Sequence, residues 1–151
     1  MKKIKILLGT VTGNARNVAQ NIVEARQGPL ENVELIENAQ LEDLQHTGAD
    51  ECVLICSSTT GAGGLPKGLT PLYLTLRDNP TNLHGLNYAI IGLGDSVFRD
   101  TFCGGVKKLD TLLTRYGSQR IGNALLIDTP AHKNYVTLAT DWLYALFREE
   151  L

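Results

Sequence analysis

The stretch IKILLGTVTGNA, residues 4–15, decides the architecture. Its first half is a nearly continuous apolar run, the pattern of a strand whose two faces are both covered. Its second half stacks two threonines, a glycine and an asparagine, and then a helical stripe begins. Ala15, Val18, Ala19, Ile22 and Val23 share one face of a helix expected over about Asn14 to Arg26. A buried strand that turns through glycine into an amphipathic helix is the opening of a βαβ unit.

The same rhythm repeats five times. Strands are expected at about Lys3–Leu8, Val33–Ile36, Cys52–Cys56, Tyr88–Leu93 and Ala124–Ile127. A later helix aligns Val106, Leu109, Leu112, Leu113 and Tyr116 and stops at Gly117. The last runs to about Arg148 with Ala139, Trp142, Leu143 and Leu146 inward. Between the second and third strands only LEDL, residues 41–44, suggests a helix, and weakly. Alternating β and α segments with right-handed crossovers predict a doubly wound α/β fold around a parallel sheet. At 151 residues this is expected to be a single domain, residues 1–151.

Composition supports an ordinary soluble globule, with 43% hydrophobic and 20% charged residues. No apolar run is long enough for a helical membrane span. MKKIKILL reads as a first strand rather than a leader, because the glycine turn follows at once. Cys52, Cys56 and Cys103 are odd in number and lack metal-ligand spacing, which predicts buried free thiols in a reducing cytoplasm. The formal net charge is −2, but residues 27–66 carry seven acids and no Lys or Arg, while residues 97–120 carry five bases against two acids. That asymmetry can orient a docking partner. No basic stripe with interleaved aromatics points to nucleic acid.

In a doubly wound sheet ligands gather beyond the carboxyl ends of the strands, at the point where strand order reverses. Three loops rich in Gly, Ser and Thr fall there: residues 9–14, 57–66 and 94–105. In the first, Thr10, Thr12 and Asn14 offer side-chain donors, Gly13 lets the backbone turn, and the helix start adds free N–H groups. Capping the helix needs one such residue, and this loop has three. It reads as a phosphate nest without a cation of its own. A Walker loop would need Gly-Lys-Ser/Thr, and a Rossmann fingerprint would need G-x-G-x-x-G in the first turn; neither occurs. A receiver domain would need acids after the first and third strands, and LLGT and LICSS supply none. The second loop, SSTTGAGGLPKG, residues 57–68, lets backbone approach a flat ligand closely. The third, GLGDSVFRDTFCGG, residues 92–105, brings Phe98 and Phe102, either of which can stack on a ring.

Jointly, GTVTGNA, SSTTGAGGLP and IGLGDSVF…FCGG resemble the flavodoxin family, in particular short-chain bacterial flavodoxins of the MioC and YqcA type, over nearly the whole chain. The resemblance implies a flavodoxin-like three-layer αβα sandwich. Its five-stranded parallel sheet would have the order 2-1-3-4-5, with flavin mononucleotide (FMN) between strands one and three. It implies a non-enzymatic electron carrier, fed by a flavodoxin/ferredoxin reductase and discharged by a metalloenzyme, monomeric and cytoplasmic. Carried over by position, Thr10, Val11, Thr12, Gly13, Asn14 and Ala15 would hold the phosphate. Ser58, Thr59, Thr60, Gly61, Ala62 and Gly63 would line one side of the ring, and Leu93, Gly94, Asp95, Phe98, Phe102 and Cys103 the other. Gly61 would be the residue whose peptide turns toward N5 of the reduced flavin.

The chain departs from that pattern in three places. Thr60 stands where many relatives stack an aromatic. Gly64 and Lys67 stand where relatives often carry aspartates. Phe98 and Phe102 are four apart rather than three. Two other readings remain open at this stage: a non-redox interaction module that keeps the fold without flavin, and an NAD(P)H:quinone reductase.

Overall fold

The computed structural model describes residues 3–11, 13–25, 28–45, 47–48, 50–59, 64–95 and 103–150. The strands are β1 (Lys3–Gly9), β2 (Val33–Glu37), β3 (Glu51–Ser58), β4 (Asn87–Gly94), β5 (Gln119–Arg120) and β6 (Leu125–Asp128). The helices are α1 (Asn14–Ala25), α2 (Glu42–Gln45), α3 (Thr70–Asp78), α4 (Gly104–Arg115) and α5 (Tyr135–Glu150). All strand pairs are parallel, and the sheet runs β2-β1-β3-β4-β5. The expected order 2-1-3-4-5 is therefore found.

The sheet is covered on both faces because the strand residues alternate between two apolar sets. Ile4, Ile6 and Leu8 of β1, with Cys52, Leu54 and Cys56 of β3 and Ala89, Ile91 and Leu93 of β4, point to one layer. There they meet Ala15, Val18, Ala19 and Ile22 of α1 and Ala139, Leu143 and Phe147 of α5. Leu7, Val53, Ile55, Tyr88 and Ile90 point to the other, against Leu72 and Leu76 of α3 and Val106, Leu109 and Leu113 of α4. Phe147 is fully buried, and truncating such an aromatic to alanine costs about 3–5 kcal/mol. All three cysteines are free and buried, and burial pushes the Cys56 thiol up to about 12, so it packs as a small apolar group.

Two weak signals resolve differently. LEDL forms part of one helical turn, α2, held by the buried Leu44. The fifth lane of the sheet is split: β5 lies beside Asn87 and Tyr88, and β6 beside Ile91–Gly94. Residues 121–124 stand against only Ala89 and Ile90, so the edge bulges before pairing resumes. The sequence reading caught β6 through its apolar run, whereas β5 is a polar Gln-Arg pair with no strand pattern.

Candidate functional site

The strand registers bring the three glycine-bearing loops together. Gly9 pairs with Ser57, Ser58 with Leu93, and Gly94 with Asp128, so β1, β3, β4 and β6 end side by side. The order reverses between β1 and β3, which makes this edge the place where a ligand can sit between loops.

The turn after β1 is shaped by its own side chains. Thr10 Oγ1 accepts a hydrogen bond from the Gly13 N–H at 2.9 Å, which leaves the Thr10 hydroxyl proton for another acceptor. Gly13 sits at φ +95°, a left-handed conformation that strains any residue with a Cβ. Its carbonyl then accepts the Asn17 N–H at 2.9 Å, the first helical bond of α1. Val11 is exposed, Asn14 half-buried and Ala15 buried in the core. Arg16, the nearest cation on α1, pairs with Glu37 at the end of β2. The described donors of this turn are thus uncharged and are joined by the positive end of the helix dipole.

At the end of β3, Ser58 Oγ is buried and has no hydrogen-bond partner, while Ser57 Oγ donates to the Ser58 carbonyl at 2.8 Å. An orphaned hydroxyl directly before the ligand-facing loop fits a donor set that awaits a polar guest. Thr59 Oγ1 donates to the Leu93 carbonyl at 3.0 Å and ties the two loop bases together. On the β4 side, the Gly94 carbonyl accepts the Thr129 N–H at 2.9 Å, and Asp95 follows half-buried. Cys103 is buried at φ +53° and caps α4. Burial pushes its thiol up and Asp128 adds to the rise, while Thr59 and the charge of Lys107 oppose it. Gly105, in the first turn of α4, touches the second loop so closely that a Cβ there would lie 2.7 Å from the Leu65 nitrogen.

Of the expected site residues, Thr10, Val11, Gly13, Asn14, Ala15, Ser58, Thr59, Leu93, Gly94, Asp95 and Cys103 are gathered at this edge. Thr12, Thr60, Gly61, Ala62, Gly63, Phe98 and Phe102 lie outside the described residues. Two residues that the sequence reading missed join them. Thr129 bonds Gly94 from the loop after β6, and Tyr135, the first residue of α5, reaches Asn14 and Asn17 of α1. Asparagine and tyrosine 121 positions apart leave no local signal; only the packing of α1 against α5 brings them together. A separate hollow of about 490 Å³, bordered by Pro80, His84, Arg115 and Gly117, lies at the amino-terminal end of β4 and takes no part in this edge.

Comparison with known proteins agrees with the geometry. The flavodoxin family model matches residues 6–142. Flavodoxin YqcA of Pectobacterium carotovorum subsp. carotovorum is 36% identical over 146 residues, which cover 96% of this chain and 95% of that one. Protein MioC of Escherichia coli K12 is 32% identical over 143 residues, 95% of each chain. Among solved structures, a Fusobacterium nucleatum flavodoxin bound to flavin mononucleotide superposes with a TM-score of 0.78 and covers 99% of both chains. At 17% identity it speaks to the fold alone.

Proposed function

The chain belongs to the flavodoxin family, and from that premise we propose that it is an electron carrier that works through bound FMN. The observation that carries this reading is the turn after β1. Its free Thr10 hydroxyl proton, the left-handed Gly13 and the start of α1 offer neutral donors and a helix dipole to a dianionic monophosphate. The orphaned Ser58 hydroxyl and the loop bases tied by Thr59 fit a flat polar ring lying between the second and third loops. Thr10–Ala15 would hold the phosphate, residues 58–63 one side of the ring, and Leu93–Asp95 with Phe98, Phe102 and Cys103 the other.

FMN supplies one- and two-electron chemistry when bound; the protein binds it, orients it and sets its potentials by burial, hydrogen bonds and nearby charge. The described residues contain no cluster of metal-ligating side chains and no helix long and apolar enough to cross a membrane. A reductase and a metalloenzyme acceptor are the partners we propose, in the cytoplasm, to a single-domain carrier.

Absorbance of the purified protein and titration of flavin-free chain with FMN test the reading. A yellow protein that takes up one FMN supports the carrier. A folded, colourless protein that ignores FMN would make it an interaction module. Turnover of NADPH with a quinone by the FMN-loaded protein would make it an enzyme.

A further inference from the structure

A short hydrogen-bonded chain crosses from α5 to the phosphate-facing turn. Asn17 Nδ2 donates to Tyr135 Oη at 3.2 Å, and the Tyr135 hydroxyl donates to Asn14 Oδ1 at 3.2 Å. A phenol has one proton to give, and here Asn14 receives it. In this arrangement the chain runs from the amide donor of Asn17 through the phenol to the amide acceptor of Asn14.

That direction matters because of where Asn14 stands. It is the first residue of α1, immediately after the left-handed Gly13 and next to the turn that Thr10 closes. An asparagine amide has two nearly isosteric edges, one a carbonyl and the other an NH₂. The carbonyl edge turned toward an anion would repel it, whereas the NH₂ edge would bond it. With Oδ1 engaged by Tyr135, the donor edge is the one left over. Each link polarises the next, so an N–H at the end of such a chain is also a better donor.

Building on the FMN reading, we propose that Tyr135 is a positioning residue for the phosphate. It pairs the Asn14 carbonyl edge when the donor edge faces the phosphate, so that neither edge of the amide is left unsatisfied. Part of the phosphate affinity of this chain would then come from a helix distant in sequence, through a residue that contacts Asn14 rather than the ligand.

The test compares FMN with riboflavin, which carries the same ring without the phosphate. Binding is followed by quenching of flavin fluorescence on adding flavin-free full-length protein. Tyr135→Phe should weaken FMN about tenfold, equivalent to 1.4 kcal/mol, and change riboflavin affinity less than about twofold. Asn14→Ala should weaken FMN to a similar degree, and adding Tyr135→Phe to it should cost nothing further. Equal losses for both flavins would reduce Tyr135 to a packing role. An unchanged FMN affinity, or a full additional loss in the Asn14→Ala background, would also overturn the proposal. Wild-type protein that binds neither flavin would instead overturn the carrier reading on which the proposal rests.

Discussion

Thr59 Oγ1 donates to the carbonyl of Leu93 across 3.0 Å, so the last residue of the second loop's base is tied to the strand that launches the third. That one hydroxyl joins the bases of the two loops that would enclose a ring.

Thr59→Val keeps the shape and removes that hydroxyl. A net hydrogen bond is worth about 0.5–1.5 kcal/mol, so the unfolding free energy should fall by that amount, read as a lower urea midpoint at an unchanged m-value. FMN affinity should fall several-fold as the loop bases loosen. A variant with wild-type affinity and stability would show that the tie does not hold the loop bases.

Gly105→Ala should damage the site from the outside. Alanine is the better helix former, by about 0.5–1 kcal/mol, so a free helix would gain stability. Here the new Cβ would sit 2.7 Å from the Leu65 nitrogen and 2.8 Å from the Gly64 carbonyl carbon, against backbone that cannot rotate away. The second loop has to move, and the expected net cost is about 1–3 kcal/mol of stability together with weaker FMN binding. Thermal unfolding and flavin titration of the variant read both.

Much of this was legible in the chain before any coordinates. All five expected strands lie within two residues of their observed limits, the central ones because both-face burial imposes continuous apolar runs. The split edge was not legible, since Gln119 and Arg120 pair with β4 through backbone alone. For the site, GTVTGNA marks the turn, and its first residue, Gly9, pairs with Ser57 beside Ser58, Thr59 and Leu93. Thr129 and Tyr135 were invisible because their roles arise from tertiary contacts between segments far apart in sequence.

At the far end of the sheet, alkaline pH should unfold the protein through Tyr88. Its side chain is buried, and its hydroxyl bonds the Asp110 carboxylate, which also pairs with Arg120. Burial first, then the hydrogen bond to Asp110, pushes the phenol from its ordinary 10.0 up to about 12. The folded state thus holds its proton more tightly than the unfolded chain. The contribution is complete below pH 10 and is lost as pH rises through about 12. Urea midpoints measured across that window should fall more steeply for wild type than for Tyr88→Phe, which has no proton to lose. Parallel slopes would remove Tyr88 from the account.

Under the FMN reading, the charge of Lys67 should help set the potential of the bound flavin. Lys67 is exposed in the turn between the second loop and α3. Full reduction of a flavin adds negative charge to the ring, which a nearby cation favours and a nearby anion opposes. For a separation on the order of 8 Å in a solvent-rich setting with an effective dielectric of about 60, one unit charge contributes roughly 0.7 kcal/mol. That is about 30 mV per electron, so the two-unit change in Lys67→Glu should lower the potential of the second reduction step by roughly 60 mV. The shift should shrink as salt is raised, because an exposed charge is screened within about 10 Å at 0.1 M. Reductive titration of the FMN-loaded variant at low and high ionic strength reads both effects. A potential that rose or stayed fixed at low salt would show that Lys67 does not act on the flavin.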